Sequence, residues 1–236
     1  MSSFENLLEE LAQYSTDTRS KGDKFERLMV EYFKTDPLYK ERFSNVWLWM
    51  DFPERNHKPD TGIDIVAQEK GTDDYCAVQC KFYGQQYTIQ KSDIDSFFTE
   101  SGKKLYSSRI IVTTTDRWSK NAEDAMNEQD KPAARIRLSD LKQSPIDWDK
   151  YSLNKVDEMV LREKHALRPH QKEALDAAMN CFKSNDRGKL IMACGTGKTF
   201  TSLKITEEFT EIKGSHTNIL YLVPSISLLS QTVRGW

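Results

Sequence analysis

Residues 60–83, DTGIDIVAQEKGTDDYCAVQCKFY, contain two β-prone runs on either side of a polar turn. Residues 63–68 and 75–83 carry β-branched and aromatic side chains, whereas residues 70–74 are polar and include a glycine. Two such runs joined by a short polar turn are typical of a β-hairpin. We therefore predict two adjacent antiparallel strands here and take them as the centre of the fold.

The polar residues of this hairpin form a pattern suited to metal-dependent hydrolysis. Side chains alternate along a strand, so Gln79 and Lys81 point to one face, while Asp64 starts the neighbouring strand. An aspartate can bind Mg²⁺, which polarises a phosphate and activates a water. A lysine beside it stabilises developing negative charge. The alternative interpretation is a half-exposed hairpin whose polar face meets solvent.

The clearest helix before the hairpin spans residues 21–34. Its apolar residues recur with the spacing of one buried helical face, and they are Phe25, Leu28, Met29, Tyr32 and Phe33. Glu26 falls at the edge of that face, beside Phe33. A carboxylate at this position borders both the core and a cleft, so Glu26 is a candidate site residue.

The remaining pattern of the first 150 residues predicts an α/β domain with a mixed sheet. We expect a helix over residues 3–14, strands over 46–50, 109–115 and 136–138, and later helices that start at Ser92, Ser119 and Ser139. Ser92 has an acidic residue, Asp95, three positions later, which is the spacing of a capping box.

A second candidate site lies in residues 192–199, MACGTGKT. It lies between a predicted strand over 189–193 and a predicted helix over 199–209; a further strand is predicted over 218–223. Glycines let backbone N–H groups turn toward a phosphate, and the Gly-Lys-Thr ending is that of a Walker A loop. The alternative is a chance glycine-rich turn. The predicted nucleotide-binding residues are Gly195, Thr196, Gly197, Lys198 and Thr199.

The first set of motifs resembles the PD-(D/E)xK nuclease superfamily and, within it, the Mrr-like restriction nucleases. The matching positions are Glu26, 60–64, 79–83 and 113–115. The resemblance implies a restriction-endonuclease-like mixed sheet flanked by helices, Mg²⁺ as cofactor and double-stranded DNA as partner. It makes Asp64 the principal metal ligand, with Gln79, Glu26 and Asp60 as further candidates, and Lys81 a catalytic residue. Gln79 stands where the superfamily has an acid, which leaves the number of metals open.

The second set of motifs resembles the superfamily 2 helicases and translocases. The segment LRPHQ, residues 167–171, precedes the glycine-rich loop, and residues 222–231 follow it. The resemblance implies that Gln171 contacts adenine and that the later run touches DNA. Met192 stands where the Walker A pattern has its first glycine, and this superfamily usually has a residue other than glycine at that position. We expect a partial RecA-like P-loop lobe that binds ATP and Mg²⁺ weakly, because no Walker B segment or second lobe follows.

The two groups of motifs predict two domains in the 236 residues. We assign residues 1–150 to the nuclease, 151–166 to a linker with a helix over 156–164, and 167–236 to the truncated motor lobe. This order resembles the Type ISP restriction–modification enzymes of the LlaGI/LlaBIII group, which also carry the rest of the motor, a methyltransferase and a target-recognition domain. The alternatives are a motor-subunit fragment of a Type I restriction enzyme, a DNA-binding domain that does not cleave, and an inactive partner-binding domain.

Composition excludes several classes of protein. Hydrophobic residues make up 38% and charged residues 30% of the chain, and no apolar run approaches the roughly 20 residues that span a bilayer. The acidic N-terminus lacks a signal-peptide core, so we expect a cytoplasmic protein without membrane contact. The net charge of −2 means that DNA binding would need a local basic patch.

Overall fold

A five-stranded sheet organises the first of two compact units in the computed structural model of the protein. The units are Met1–Glu163 and Lys164–Trp236. The structure describes residues 3–15, 17–56, 62–72, 74–151, 159–163, 166–193, 195–214 and 217–223. None of the helices described there is long and apolar enough to cross a membrane.

Three helices precede the sheet, and three more follow its third strand. The helices of the first unit are α1 (Ser3–Gln13), α2 (Thr18–Thr35), α3 (Pro37–Arg42), α4 (Asp95–Ser101), α5 (Lys120–Asn127) and α6 (Leu138–Gln143). The strands are β1 (Phe43–Leu48), β2 (Ile65–Glu69), β3 (Tyr75–Lys81), β4 (Tyr106–Thr113) and β5 (Ala133–Ile136). Single turns of 3-10 helix occur at Trp49–Asp51, Pro53–Arg55 and Lys91–Asp93.

The strand order is β1-β2-β3-β4-β5, and the sheet is mixed. β1, β2 and β3 are antiparallel neighbours, whereas β3, β4 and β5 pair in parallel. The predicted hairpin is confirmed, with Ile65 opposite Val78 and Gln68 opposite Tyr75. α4 and α5 lie in the connections between the parallel strands, as parallel pairing requires a crossover.

Both faces of the central hairpin are buried. Ala67, Cys76 and Val78 belong to a core shared with α1 and α2. Val66 and Ala77, on the opposite face, belong to a second core shared with α4 and α5. The interpretation of a half-exposed hairpin is therefore wrong, and polar side chains can reach solvent only near the ends of these strands.

α2 carries the predicted apolar face into the first core. Phe25, Leu28, Met29 and Phe33 are all fully buried. The helix begins three residues before its predicted start, because the Asp17 carboxylate accepts a hydrogen bond from the Ser20 amide at 2.7 Å and caps it. Burial of this aromatic stripe fixes the helix against β1 and β3.

Several boundaries differ from the predictions for local reasons. β1 ends at Leu48, and residues predicted to extend it form a 3-10 turn instead. α3 was not predicted; Pro37 starts it, and the Asp36 carboxylate accepts from the Leu38 amide at 3.0 Å. Ser92 does not begin a helix: it lies in a 3-10 turn closed by Asp93, whose carboxylate accepts from the Gln90 amide at 2.7 Å.

The segment predicted to link the domains is partly integrated into the first unit. Tyr151 and Met159 are buried in the first core, and Ile146 forms an antiparallel bridge with Leu161. Residues 159–163 are not helical, so the predicted helix over 156–164 is wrong for them. Residues 152–158 of that segment lie outside the described residues.

The described part of the second unit contains two helices, α7 (Pro169–Phe182) and α8 (Lys198–Lys213), and no hydrogen-bonded strand. The strands predicted over 189–193 and 218–223 are therefore wrong as assignments. Their apolar side chains lie largely exposed, as at Ile191 and Leu222, because no neighbouring backbone pairs with them in the described residues. Phe182 and Phe209 join the two helices by an edge-on ring contact at 5.6 Å.

A half-buried ion pair ties the end of α3 to β2 and β4 at one end of the sheet. The Arg42 guanidinium, beside β1, donates to the Glu69 carboxylate of β2 and to the Ser108 hydroxyl of β4 at 2.8 Å. Ser108 in turn donates to Glu69 at 2.8 Å. Burial alone would raise the pKa of Glu69, but the hydrogen bonds from Arg42 and Ser108 hold that pKa below its ordinary value.

We expect Arg42→Met to lower the free energy of unfolding by about 1–3 kcal/mol at pH 7, because it leaves the Glu69 carboxylate without its main donor. A carboxyl whose folded pKa is depressed contributes stability above its unfolded pKa and loses it as pH falls through the folded pKa. The difference between variant and wild type should therefore shrink below about pH 4.5, measured by urea unfolding.

The control is Arg137→Met, which removes an exposed pair with Asp140 and should cost under about 0.5 kcal/mol at either pH. Equal losses in the two variants, or a loss in Arg42→Met that does not change with pH, would contradict the role assigned to this network.

Candidate functional site

Asp64 lies where the ladder between β2 and β3 ends. Its amide donates to the Val78 carbonyl at 3.0 Å, and its Oδ2 atom accepts from the Cys80 amide at 2.6 Å. On the side of β3 that faces β2, the carboxylate thus takes the position where a backbone carbonyl would accept from Cys80 if the two strands continued to pair. Its carbonyl accepts from the Trp49 amide at 2.8 Å, which fixes the backbone at this position. Asp64 is thereby held beside Cys80, the residue between Gln79 and Lys81.

Gln79 is buried, with 2% of its surface exposed. Its Nε2 atom donates to the Gly62 carbonyl at 2.9 Å. Its Oε1 atom is shielded from solvent and has no hydrogen-bond partner among the residues that the structure describes. A buried amide oxygen without a partner is rare in folded proteins. This oxygen is therefore a candidate ligand for a cation or a site for a bound water.

Glu26 and Asp64 line one cleft of about 800 Å³ in the first unit. Glu26 reaches it from α2, next to Phe25, whose ring contacts Phe82 at 5.5 Å. Three guanidinium groups line the same cleft, those of Arg19, Arg27 and Arg55. The structure thus brings two predicted carboxylates together in a cleft of mixed charge, whose lining also includes the carboxylates of Asp23 and Asp51 but neither Gln79 nor Lys81.

Cys80 is buried beside the candidate carboxylates. Burial raises the pKa of the Cys80 thiol well above its ordinary value, and the carboxylates of Asp64 and Glu26 raise it further. The ammonium of Lys81, the next residue along the chain, acts in the opposite direction on the same thiol.

The donors present fit a hard divalent cation. Mg²⁺ favours oxygen ligands and commonly takes only one or two carboxylates while retaining several waters. Asp64 and Glu26 offer carboxylates on one cleft, and Gln79 offers a buried amide oxygen without a partner. The described residues hold no cluster of three or more His, Cys, Asp or Glu side chains arranged for a metal. Asp60, the weaker predicted ligand, lies outside the described residues.

Arg19 and Arg27 were missed by the sequence reasoning. A signal for them exists, because Arg19, Asp23, Glu26 and Arg27 follow one another at helical spacing on α2 and all line the cleft. The same face therefore supplies both a carboxylate and two cations to the candidate site.

In the second unit, the glycine-rich loop turns into α8 as predicted. Gly195 and Gly197 have φ values of 76° and 83°, which favour glycine, and Gly197 caps α8. α8 starts at Lys198, and the Lys198 ammonium donates back to the Met192 carbonyl at 3.3 Å. Thr199 lies in the first turn of the helix, while Cys194 lies outside the described residues.

Gln171 fastens this loop to α7. Its Nε2 atom donates to the Thr196 carbonyl at 2.9 Å, and its Oε1 atom accepts from the Arg168 amide at 2.9 Å. A methyl group added at Gly197 would clash with this amide. The structure thus places Gln171 against the loop, with both ends of its amide engaged by protein backbone. The predicted DNA-touching run over 222–231 lies outside the described residues after position 223.

Comparisons with known proteins divide the chain at the same place as its structure. Residues 34–158 match a family model described as restriction endonuclease, and residues 164–236 match one described as Type III restriction enzyme, res subunit. No curated protein matches the chain at a significant level.

Among solved structures, the chain is similar to the ATP-dependent Type ISP restriction-modification enzyme LlaBIII bound to DNA. The two are 41% identical with a TM-score of 0.76, over 97% of this chain and 14% of that one. The MspJI restriction endonuclease in complex with a 27-mer oligonucleotide matches at 17% identity and a TM-score of 0.39, over 58% of this chain and 30% of that one, which is too distant to carry an argument.

The restriction endonuclease model covers more than half of the chain, including both strands of the central hairpin and the residues Asp64, Gln79 and Lys81. A helicase-like segment with a glycine-rich loop follows it. The predicted mixed sheet, the order of the two domains and the resemblance to the Type ISP enzymes are confirmed. The chain belongs to the restriction endonuclease family.

Proposed function

We propose that the first unit hydrolyses the phosphodiester bonds of double-stranded DNA with Mg²⁺, as the nuclease domain of an ATP-dependent, translocating restriction–modification enzyme. The observation that carries this proposal is the Asp64 carboxylate on the Cys80 amide, between Gln79 and Lys81, above a cleft that also holds Glu26. Charged groups of this kind seldom meet at the end of a buried hairpin unless a ligand uses them.

The proposed roles follow from the chemistry of each side chain. Asp64, Glu26 and the Gln79 amide oxygen would hold the metal, with Asp60 as a further candidate. Mg²⁺, when bound, polarises the phosphate and activates a water. Lys81, the last residue of β3 and the chain neighbour of Cys80, would stabilise the negative charge that develops on the phosphate.

The arginines of the cleft support DNA as the substrate. Arg19, Arg27 and Arg55 lie along the same cleft as the carboxylates, and guanidinium groups bind phosphates in bidentate fashion. Four carboxylates line the cleft as well, so its attraction for a phosphate would depend on a bound metal ion together with these arginines. The similar LlaBIII structure is of an enzyme bound to DNA, which agrees with this substrate.

We propose ATP with Mg²⁺ as the ligand of the second unit. Gly195, Thr196 and Gly197 would present backbone N–H groups to the phosphates, and the N-terminus of α8 adds its dipole. Lys198 would exchange its bond to the Met192 carbonyl for the β- and γ-phosphates, and Thr199 would hold the metal. Gln171 would reach adenine only by releasing part of its present contacts, so holding the loop is its better-supported role.

The chain spans 14% of LlaBIII, so the larger setting is also a proposal. We propose that the remaining motor, a methyltransferase and a target-recognition domain act together with these two units. Residues 151–166 would couple the nuclease, residues 1–150, to the motor residues 167–236, and the proposed site of action is the cytoplasm. A Type I motor subunit is the alternative setting; a DNA-binding domain without cleavage activity is the alternative function.

The cleavage proposal predicts that the 236-residue protein nicks supercoiled plasmid in the presence of Mg²⁺ or Mn²⁺. Asp64→Asn and Lys81→Met should each slow nicking by at least about a hundredfold, because the first removes a carboxylate that would hold the metal and the second removes the cation that would stabilise the developing negative charge. Asn keeps an oxygen for the Cys80 amide, so Asp64→Asn should retain the thermal stability of the wild type. Nicked circles are quantified on agarose gels.

Matched controls lie on the turn of the same hairpin, away from the cleft. Asp74→Asn and Lys70→Met carry the same chemical changes and should nick at the wild-type rate. A wild type that binds DNA without nicking it at any Mg²⁺ or Mn²⁺ concentration would support the non-cleaving alternative. Absence of both nicking and DNA binding would support the partner-binding alternative.

The nucleotide proposal predicts that Lys198→Ala weakens the binding of a fluorescent ATP analogue at least about tenfold, because the ammonium is the main positive charge facing the phosphates. The control is Lys213→Ala, which removes a lysine from the opposite end of the same helix. Equal affinities of Lys198→Ala and the wild type would contradict the proposed site, as would equal losses in the two variants. Binding is measured by fluorescence anisotropy with Mg²⁺ present.

A further inference from the structure

Three buried threonine residues close the carboxyl end of β4. Thr113, Thr114 and Thr115 are at most 1% exposed. Their hydroxyl groups all bond to backbone rather than to other side chains. Buried hydroxyls in these positions fix the course of whatever chain they contact, because breaking such a bond leaves a polar group unsatisfied. The contacts of Thr114 and Thr115 lie on the segment that follows β3.

Thr114 satisfies both backbone groups of Tyr83. Its Oγ1 atom accepts from the Tyr83 amide at 2.8 Å and donates to the Tyr83 carbonyl at 2.7 Å. Its own amide donates to the Lys81 carbonyl at 3.2 Å. Tyr83 lies beyond the end of β3, so regular strand pairing does not hold it. Lys81 is the last residue of β3 that pairs with β4, opposite Thr113, and the Thr114 side chain replaces the ladder on this flank from there to Tyr83.

The opposite flank is held in a similar way. Pairing with β2 ends at Ile65 and Val78, and beyond it the Asp64 carboxylate accepts from the Cys80 amide. The backbone around Lys81 is therefore fixed by a carboxylate on one side and by a threonine hydroxyl on the other. This arrangement defines where the Lys81 side chain starts, and hence where its ammonium can reach.

We propose that Thr114 is a positioning residue for Lys81 in DNA cleavage. This inference rests on the proposed nuclease function and adds a residue to it. Thr114 lies below the surface, so it acts through the backbone of residues 81–83 and not by contact with DNA. Loss of its hydroxyl lets that backbone shift, and a shift of about 1 Å at a catalytic group can lower a rate about a hundredfold.

Thr115 provides the matched comparison. Its hydroxyl is equally buried and donates to the Tyr87 carbonyl at 2.7 Å, farther along the chain from Lys81. Thr115→Val therefore removes the same chemical group and leaves the Lys81 segment in place. A purely structural role for both threonines would make the two substitutions equivalent.

The experiment measures plasmid nicking by Thr114→Val, Thr114→Ser and Thr115→Val at increasing DNA concentration, well below the unfolding temperature of each variant. We expect Thr114→Val to lower kcat at least about tenfold with KM unchanged. Thr114→Ser keeps the hydroxyl and should retain kcat within about twofold, and Thr115→Val should do the same. In a Lys81→Met background, Thr114→Val should cause no further loss, because Thr114 acts through Lys81.

Each outcome decides the question. Four results would overturn the positioning role and leave the proposed nuclease function intact. Thr114→Val could keep the kcat of the wild type, or Thr115→Val could lose as much kcat as Thr114→Val does. Thr114→Ser could fail to restore kcat, or Thr114→Val could lower kcat further in the Lys81→Met background. A wild type that does not nick DNA would overturn the proposed function, and the role of Thr114 with it.

Discussion

The hydrogen bond from the Cys80 amide to the Asp64 carboxylate is the interaction on which the candidate site depends. It forms because β2 and β3 stop pairing at Ile65 and Val78, which leaves the next amide of β3 without a backbone acceptor. A buried amide needs a partner. Asp64 supplies it, and the same contact fixes a negative charge between Gln79 and Lys81. The same hydrogen bond thus gives the Cys80 amide its acceptor and holds the Asp64 carboxylate in the candidate site.

The sheet explains why the site lies at this end of the strands. Both faces of the hairpin are covered, one by α1 and α2 and the other by α4 and α5. A charged cluster in the middle of the sheet would pay the full desolvation penalty. At the end of the hairpin, the Asp64 carboxylate reaches the cleft that Glu26 lines from α2, and its backbone is still held by the sheet. The end of the hairpin therefore gives the Asp64 carboxylate access to the cleft while the sheet keeps its backbone rigid.

The sequence predicted this arrangement where a periodic signal was present. Alternation along 75–83 and the helical spacing of the α2 core residues were enough to predict the hairpin and α2. The cleft arginines Arg19 and Arg27 were not predicted, although their spacing along α2 places them on the same helical face as Glu26, because charged residues at that spacing are also typical of a solvent-exposed helix face. The strands over 189–193 and 218–223 failed for another reason: apolar, β-prone sequence predicts a strand only where a neighbouring strand supplies hydrogen bonds.

Gln79 shows how the site can be both buried and polar before any cation is bound. A carboxylate at 2% exposure, next to the charge of Asp64, would be disfavoured by desolvation and by repulsion between like charges. A neutral amide keeps an oxygen at the same position, and its Nε2 atom anchors the side chain on the Gly62 carbonyl. The cost is confined to one oxygen without a hydrogen bond. Because that cost is smaller than the cost of a buried charge, the hairpin can hold its proposed ligands in place within the folded sheet, and a cation that binds there gains an oxygen already stripped of water.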